Sequence, residues 1–453
     1  MSANAVVWFR RDLRVRDQPT FLAAAPRALA LFVLDPALLG PSGAARSTFL
    51  FRSLRALDAS LRGKLQVVTG DPAEVVPRIA AAVDAAAVHV AADYGPYGRI
   101  RDEAVEKTLV EDGRELVRTG SPYAVAPGRV RKPDGDPYKV FTPFRRAWAE
   151  HGWRKPADTD ASTVEWLDPV EKSVIPDDVD IDAELPEAGE DAALARWQEF
   201  LDGAVGEYQD GRDRPDKPGT SRMSPYLKYG LIHPRTMLAD LASKRSESAQ
   251  TYTTEIAWRE FYADILFQRP DSARENYDRS FDALPLASGA AARVAFDAWC
   301  EGRTGFPIVD AGMRQLREQA WMHNRVRMIV ASFLVKDLHL PWWWGARHFM
   351  RLLVDGDLAS NQHGWQWTAG SGTDASPYFR VFNPITQGEK FDPDGDYVRK
   401  FVPELRGVPG KAVHQPWALP GGLPEGYPEP MVDHKAERLD ALARYEQVKA
   451  ARG

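Results

Sequence analysis

The first 130 residues alternate short apolar, β-rich runs with segments whose apolar residues recur at helical spacing. The runs that predict strands are residues 5–9, 28–34, 65–69 and 88–92, with a weaker fifth near 123–126. The segments that predict helices between them are residues 47–61, 72–83 and 100–109. This alternation predicts an α/β domain at residues 1–130, built on a doubly wound parallel sheet of five strands.

The rest of the chain divides into a segment without periodicity and a longer helical part. Residues 131–191 are rich in Pro, Asp and Glu, which is typical of a long acidic linker between domains. Residues 192–453 carry apolar side chains at helical spacing, which predicts a larger all-helical domain. The clearest helical segments there are residues 254–267, 311–319, 324–336 and 349–354.

The distribution of charge changes the interpretation of the net charge. The 453 residues carry a formal charge of −6, which at first argues against a nucleic-acid partner. Residues 160–191 alone hold twelve acidic residues and one lysine, so the remainder of the chain is net positive. Residues 310–351 carry seven Lys or Arg against three Asp or Glu. A basic surface for phosphates is therefore available, although a solvated helix face is the simpler interpretation.

Composition and motifs exclude several classes of site. The single cysteine, Cys300, excludes a disulfide framework and a cluster of thiolate ligands. The sequence has no G-x-G-x-x-G after the first strand, no P-loop, no H-E-x-x-H and no G-x-S-x-G. We therefore expect neither a hydrolase nor a metal centre, and we interpret His323, His339, His348 and His363 as structural. With no signal-peptide core and no apolar run of about 18 residues, the chain is expected to be soluble and cytoplasmic.

Residues 220–224 (TSRMS) bring hydroxyl groups to the predicted start of a helix. Ser224 is followed by Pro225, which predicts an N-cap with proline at the first helical position. The free amides at a helix start can hold an anion, so a phosphate fits here. Capping without a ligand is the commoner use of such a sequence.

Tryptophan is concentrated in one region. Eight of the 14 tryptophans lie between Trp258 and Trp367. Most tryptophans are core residues, but aromatic planes beside arginines are also what unstacked bases bind. Glu255 and Trp258 are three residues apart and share a helix face, which suits either a flat polar ligand or an exposed carboxylate above a core indole. Trp365 and Trp367 are two apart, about 200° around a helix, so they face different neighbours.

Taken together, these residues resemble the photolyase and cryptochrome flavoproteins, specifically the class I cyclobutane pyrimidine dimer photolyases. The resemblance is carried by residues 7–14 (VWFRRDLR), 255–262 (EIAWREFY), 304–315 (TGFPIVDAGMRQ), 321–338 and 355–392. It implies FAD bound in the helical domain. It also implies a DNA-repair lyase that splits the dimer by one-electron transfer from light-excited, reduced FAD.

The resemblance assigns residues to the FAD site. They are Tyr208, Thr220, Ser221, Arg222, Met223, Ser224, Arg327, Asp337, Asp355, Asp357 and Asn361. Arg327 and Asp337 are expected to form an ion pair next to the flavin, and Asp355 and Asp357 to lie near the flavin and the ribose. Asn361 is expected to face flavin N5, where plant cryptochromes have an acidic residue. An amide there favours the reduced anionic flavin that repair requires.

The resemblance also implies a pocket for the extruded dimer. The catalytic residues expected there are Glu255, Trp258, Asn324, Arg325, Met328 and Trp367. A cyclobutane dimer pairs badly, so its extrusion costs less than that of normal bases. Trp258 and Trp367 are expected to grip the rings, and Glu255 to hydrogen-bond a base carbonyl. Trp321 and the residues after it resemble the cyclobutane-dimer branch rather than the (6-4) branch.

One departure from the family concerns the tryptophan chain that carries electrons to the flavin. Trp365 and Trp342 match its first two members, but the region of the third, near Gly289, has no tryptophan. Trp343, Trp344 or a tyrosine is an alternative surface end.

A second departure concerns the antenna chromophore. Folate-binding members have a glutamate where this chain has Gly98. The preferred antenna is therefore 8-hydroxy-5-deazaflavin over methenyltetrahydrofolate, with an empty site as a third alternative.

The main alternative function is a cryptochrome-type blue-light photoreceptor without repair activity, and a DNA-damage binder without activity is a weaker one. Asn361 and the dimer pocket argue against the photoreceptor. We expect a monomer whose partner is DNA containing cyclobutane pyrimidine dimers, with no membrane association.

Overall fold

The computed structural model describes residues 4–24 and 26–450, and its first part is a parallel sheet between layers of helices. The strands are β1 (Asn4–Phe9), β2 (Arg27–Leu34), β3 (Leu65–Thr69), β4 (Ala85–Val90), β5 (Glu115–Arg118) and β6 (Glu165–Trp166). The helices around them are α1 (Pro19–Ala24), α2 (Pro36–Leu39), α3 (Ala44–Ser60), α4 (Pro72–Ala82) and α5 (Pro96–Glu111). The five main strands lie in the order β3-β2-β1-β4-β5 and all pair in parallel, which confirms the doubly wound α/β fold.

The central strand shows why the sheet could be predicted. In β1, Val7 and Phe9 pack into one hydrophobic cluster, and Val6 and Trp8 pack into another on the opposite face. Successive strand residues point to opposite faces, so a strand covered on both sides reads as a continuous apolar run.

Two details of the sheet differ from the sequence prediction. The fifth strand is β5, not residues 123–126, where the described chain is irregular. Glu260 accepts hydrogen bonds from the backbone amides of Ala124 and Val125, which fixes that segment outside the sheet. The sheet also has a sixth strand, because β6 pairs in parallel with the start of β2.

The second part of the chain is helical, as predicted. Its helices are α6 (Phe141–His151), α7 (Glu190–Asp202), α8 (Tyr208–Gly211), α9 (Ser224–Tyr229), α10 (Pro234–Ala242), α11 (Glu247–Gln268), α12 (Gly289–Glu301), α13 (Pro307–Gln319), α14 (Asn324–Lys336), α15 (Trp342–Leu352), α16 (Leu358–Ala369), α17 (Pro384–Phe391), α18 (Asp396–Phe401) and α19 (His434–Ala450). Short 3-10 helices lie at Ala204–Glu207, Pro270–Ala273, Arg279–Ala283, Pro403–Leu405, Gly410–His414 and Pro416–Ala418. In the described residues, no helix is both long and apolar enough to cross a membrane.

The segment predicted as a linker, residues 131–191, contains helix α6 and strand β6. On α6, Phe141, Phe144 and Trp148 are buried, and the indole N–H of Trp148 donates to Glu260 on α11. The segment therefore packs against both parts of the molecule. The division of the chain at residues 130 and 191 stays a prediction.

A close backbone approach joins the sheet to the helical part. The backbone amide of Leu13 donates to the carbonyl of Tyr229, the last residue of α9. Gly230, which follows, has a φ of 66°, and a Cβ there would lie 1.9 Å from the backbone oxygen of Arg11. Only glycine meets both requirements, so Gly230 lets the loop after β1 reach the helical part.

Candidate active site

The helical part surrounds a cavity of about 510 Å³. Of the residues that the sequence assigned to a site, those lining it are Tyr208, Thr220, Ser221, Arg222, Met223, Ser224, Glu255, Trp258, Asn324, Arg325, Arg327, Met328, Asp355, Asp357, Asn361, Trp365 and Trp367. Asp337 and Trp342 do not line it. A smaller cavity of about 240 Å³, beside Trp166, contains none of the assigned residues.

One end of the cavity is formed by residues 220–224 and the start of α9. Ser221 Oγ lies 2.7 Å from the hydroxyl of Tyr252 on α11. Arg222 has a left-handed φ of 56°, and its guanidinium lies 4.5 Å from the ring centroid of Trp321. The N-cap is Met223, without a side-chain cap bond, so the prediction of Ser224 as the N-cap is wrong. As the first helical residue, Ser224 instead accepts a hydrogen bond from the indole N–H of Trp321, 3.3 Å away.

Another part of the cavity wall is formed by one face of α11. Glu255 and Trp258 both line the cavity, as the three-residue spacing predicted. Glu255 forms an ion pair with Arg212, with 2.8 Å between Oε1 and Nη1. Burial raises the pKa of Glu255, and the charge of Arg212 opposes that rise. Trp258 stacks on Phe141 with ring centroids 3.5 Å apart and an interplanar angle of 9°, so its ring plane is fixed.

The first turn of α14 supplies a third part of the wall. The Arg325 guanidinium forms an ion pair with Asp213, 2.7 Å away, and also contacts the sulfur of Met328. His323 caps the helix, because its ring nitrogen accepts from the Arg325 backbone amide. Burial lowers the pKa of His323 to about 4, so the ring is neutral at pH 7. His323 is therefore structural, as the sequence predicted.

The ion pair expected between Arg327 and Asp337 is wrong. Arg327 pairs instead with Asp355, with 2.7 Å between Nη2 and Oδ2. Asp337 lies ten residues beyond Arg327 along α14, about 15 Å at 1.5 Å per residue, which is too far for contact. Its carboxylate is fully buried and bonded to the ring of His434, at the start of α19. Asp337 is therefore not an FAD-site residue in this geometry.

Two carboxylates after α15 face the cavity. Asp355 Oδ1 is buried and has no hydrogen-bond partner among the described residues. Asp357 caps α16 by accepting from the Ser360 amide, and it also pairs with Arg11 across 2.8 Å. Although burial opposes it, the charge of Arg11 holds the pKa of Asp357 far below its usual range. Asp357 is thus ionised at neutral pH.

Helix α16 places Asn361, Trp365 and Trp367 on the cavity wall. The Asn361 amide donates to the Ala346 carbonyl at 3.1 Å, which fixes its orientation. Trp365 is buried, whereas Trp367 is half-buried. Trp342, on α15, lies outside the wall, and its indole N–H donates to Asn276 at 2.9 Å.

Several polar residues of the cavity were not found from the sequence. Arg212, Lys228, Tyr252 and Arg259 line it. Lys228 follows Ser224 by four residues, so helical spacing places the two side chains on one face of α9. That spacing was the one sequence signal available for it.

Outside the cavity, the described residues contain one group of three His, Asp or Glu side chains whose ligand atoms are close enough to hold a metal ion. His339 Nε2 lies 2.7 Å from Glu437 Oε2 and 3.3 Å from Asp440 Oδ2. Arg444 also pairs with Asp440, at 2.9 Å. These contacts attach α19 to the end of α14 through groups that already have partners.

Comparison with known proteins identifies the family. Residues 5–162 match the family model described as DNA photolyase, and residues 252–447 match the FAD binding domain of DNA photolyase. A deoxyribodipyrimidine photo-lyase of Agrobacterium fabrum is 40% identical over 99% of this chain and 98% of its own length. One from Streptomyces griseus is also 40% identical, over 98% of this chain and 99% of its own. The chain belongs to the DNA photolyase family.

Solved structures agree with the family and change one expectation. A bacterial class III photolyase from Agrobacterium tumefaciens has a TM-score of 0.89 at 39% identity and covers 99% of this chain and 98% of its own. The expected assignment to class I is therefore not supported. A cryptochrome of Synechocystis also has a TM-score of 0.89, at 28% identity, over 98% of this chain and 99% of its own, so the fold does not separate the two functions.

The region expected to determine the antenna lies in the sheet domain. A Cβ on Gly98 would lie 2.2 Å from the Asp93 carboxylate, which in turn pairs with Arg101. A larger residue at position 98 would displace that ion pair. An archaeal photolyase from Sulfolobus tokodaii, similar over 98% of this chain and 99% of its own at 30% identity and a TM-score of 0.84, was solved with two FAD molecules. A second chromophore thus occurs in the family, while its identity in this chain stays a prediction.

Proposed function

We propose that the protein splits cyclobutane pyrimidine dimers in DNA in a light-dependent reaction. The observation that carries the proposal is that a single cavity gathers all six residues expected to bind the dimer and ten of the eleven expected to hold FAD. The photo-lyase names of the full-length relatives support it.

The cavity fits FAD in both size and chemistry. Its volume of about 510 Å³ is within the roughly 300–1,000 Å³ typical of cofactor sites. The hydroxyls of Thr220 and Ser221 would hold the phosphates, and Arg327, Asp355 and Asn361 would hold the flavin. The buried, unpartnered oxygen of Asp355 offers an acceptor for a ligand N–H or O–H. When bound, FAD in its reduced and light-excited form supplies the electron that opens the cyclobutane ring.

The residues at the cavity wall suit an extruded dimer. Trp258 and Trp367 present indoles, which hold unstacked bases through their ring faces. The fixed stack of Phe141 on Trp258 removes rotamer freedom before the lesion arrives, so less entropy is lost on binding. Glu255 faces the same space and would hydrogen-bond a base carbonyl in its protonated form, which burial favours. Asn324, Arg325 and Met328 complete this wall.

The test is direct. Purified protein carrying reduced FAD is mixed with an oligonucleotide that contains one thymine dimer, under blue light or in darkness, and intact thymines are counted. Loss of the lesion only in the light is expected. Glu255→Ala should lower the yield, and Glu103→Ala, an exposed carboxylate on α5, serves as the control. Binding of the lesion without light-dependent loss would indicate a damage binder, and neither binding nor loss a photoreceptor.

Three finer expectations accompany this proposal. They are an 8-hydroxy-5-deazaflavin antenna rather than methenyltetrahydrofolate, action as a monomer, and a cytoplasmic location. Absorption spectra of the purified holoprotein would test the antenna, since the chromophores absorb at different wavelengths.

A further inference from the structure

Lys228 is a cation of the cavity whose ammonium has no direct hydrogen-bond or ion-pair partner among the residues that the structure describes. It lies on α9 and lines the cavity together with Asp355, Asp357 and Arg259. Within residues 4–24 and 26–450, its ammonium group makes no hydrogen bond or ion pair. A half-buried ammonium in such a space lacks full hydration, and it shares the attraction of the Asp357 carboxylate with Arg11, so a further anion beside it is favourable.

The charges around Lys228 leave a positive surplus. The carboxylates whose charges act on Lys228 are already paired, Asp357 with Arg11 and Asp93 with Arg101. Burial and the charge of Arg11 together lower the pKa of Lys228 to about 8, against the opposing charge of Asp357. The group is still mainly protonated at pH 7, so this end of the cavity carries a positive charge that its own carboxylates do not neutralise.

Lys228 lies away from the end of the cavity that is expected to hold the FAD phosphates. Residues 220–224 lie before and at the start of α9, whereas Lys228 lies four residues later, about 6 Å farther along the helix. There the charge of Asp357 acts on it, and Asp357 is one of the two carboxylates that the resemblance places near the flavin and the ribose.

We propose that Lys228 supplies the positive charge that stabilises the reduced, anionic flavin relative to the oxidised, neutral flavin. The inference rests on the proposed function, because it requires FAD in this cavity. A fixed charge near the flavin ring tunes its electronics, and a cation favours the state that carries the negative charge. Arg327 contributes less to this selectivity because Asp355 neutralises it.

The experiment measures the two-electron reduction potential of bound FAD in the full-length protein. Lys228→Met is compared with wild type by dye-equilibrated reductive titration, and the dissociation constant of oxidised FAD is measured separately. We expect Lys228→Met to weaken binding of reduced FAD about tenfold relative to oxidised FAD, which corresponds to a potential about 30 mV lower. Lys228→Arg should restore most of the potential.

A control variant and three contrary outcomes show whether the inference, the proposed function or both are wrong. Lys244→Met removes a lysine whose ammonium donates to the Leu201 carbonyl outside the cavity, and it should leave the potential unchanged. Equal weakening of oxidised and reduced FAD by Lys228→Met would show that the lysine acts on the phosphates, and an unchanged potential with FAD bound would show no electrostatic role. Either result overturns the inference while the proposed function stands. Failure of the wild type to bind FAD would overturn both.

Discussion

Trp365 and Trp299 meet edge to face, with ring centroids 6.1 Å apart and an interplanar angle of 69°. Trp365 lines the cavity, and Trp299, on α12, is fully buried behind it. The Trp299 N–H donates to the Val330 carbonyl, so its orientation is fixed. The tryptophan whose ring contacts Trp365 here is therefore Trp299. The sequence analysis instead assigned Trp342 as the next member of the electron chain.

Replacing Trp365 with Phe is expected to suppress photoreduction of oxidised FAD, because it removes the oxidisable ring that lines the cavity. The measurement is the loss of oxidised flavin absorbance under blue light with an external thiol as reductant. Trp166→Phe, in the sheet domain, is the control for general effects of losing a tryptophan. Photoreduction at the wild-type rate in Trp365→Phe would exclude Trp365 from the electron chain.

Two variants distinguish whether electrons reach Trp365 through Trp299 or through Trp342. Trp299→Phe and Trp342→Phe each remove one tryptophan without opening a large cavity. If the contact between Trp365 and Trp299 carries the electron, Trp299→Phe slows photoreduction more than Trp342→Phe does. The opposite order would restore the chain that the sequence predicted.

Gly345 on α15 is expected to be required for the position of Trp365. A Cβ at this residue would lie 2.1 Å from Cη2 of Trp365, a rigid atom that cannot move away without displacing the ring. Overpacking of this kind costs about 1–3 kcal/mol. Gly345→Ala should therefore lower the unfolding free energy by that amount in urea titrations and also slow photoreduction. Gly206→Ala, in the 3-10 helix Ala204–Glu207 outside the cavity, where a Cβ would meet no atom within 4 Å, is the control. A fully stable Gly345→Ala protein with normal photoreduction would contradict this account.

Strands and helices were predictable where their burial produces a pattern of apolar residues in the sequence. Strand β1 was found because both of its faces are covered, and α14 was found with its observed bounds, Asn324–Lys336, because most of its residues are apolar. Strand β5 was missed because Leu116 is its one buried residue, so it has no apolar run. Strand β6 has two residues, too few for any period, and is fixed only by pairing with β2.

Site residues that belong to family motifs were predictable from the sequence. Contacts between residues that are far apart along the chain were less predictable. Asp337 was placed beside Arg327 although ten helical residues separate them, an error that the helix rise alone corrects. The partner of Glu255 is Arg212, which directly follows α8, and no local spacing could indicate that contact. Lys228 was overlooked because its lack of a partner is visible only after the surrounding carboxylates are seen to be paired.

The pairing of Arg327 with Asp355 rather than Asp337 has a testable consequence. Asp355→Asn removes the charge that holds Arg327, and loss of a hydrogen bond to a charged group costs about 1.5–3 kcal/mol. FAD binding measured by fluorescence titration of the apoprotein should weaken about tenfold or more. Asp337→Asn should leave FAD affinity unchanged and instead lower the stability of the contact between α14 and α19. A large loss of FAD affinity in Asp337→Asn would return that residue to the cofactor site.

Stability should fall in acid partly because of His363 on α16. Its ring is buried, its Nδ1–H donates to the Ala359 carbonyl, its Nε2 lies 3.0 Å from Ser272 Oγ, and it stacks on Tyr262 with centroids 5.6 Å apart. Burial lowers the pKa of His363 to about 4, below the ordinary 6.5. A lowered pKa means that the unfolded chain takes up the proton first, so the contribution is present above pH 6.5 and is lost as the pH falls toward 4. Linkage gives a loss of about 2 kcal/mol between pH 7.5 and 5.0 for this group.

In His363→Gln the fall in unfolding free energy over that range, from urea titrations, should be smaller than in wild type by this amount. His151→Gln, an exposed histidine, should show the wild-type fall, and an equal fall in all three proteins would remove His363 as a cause of acid lability.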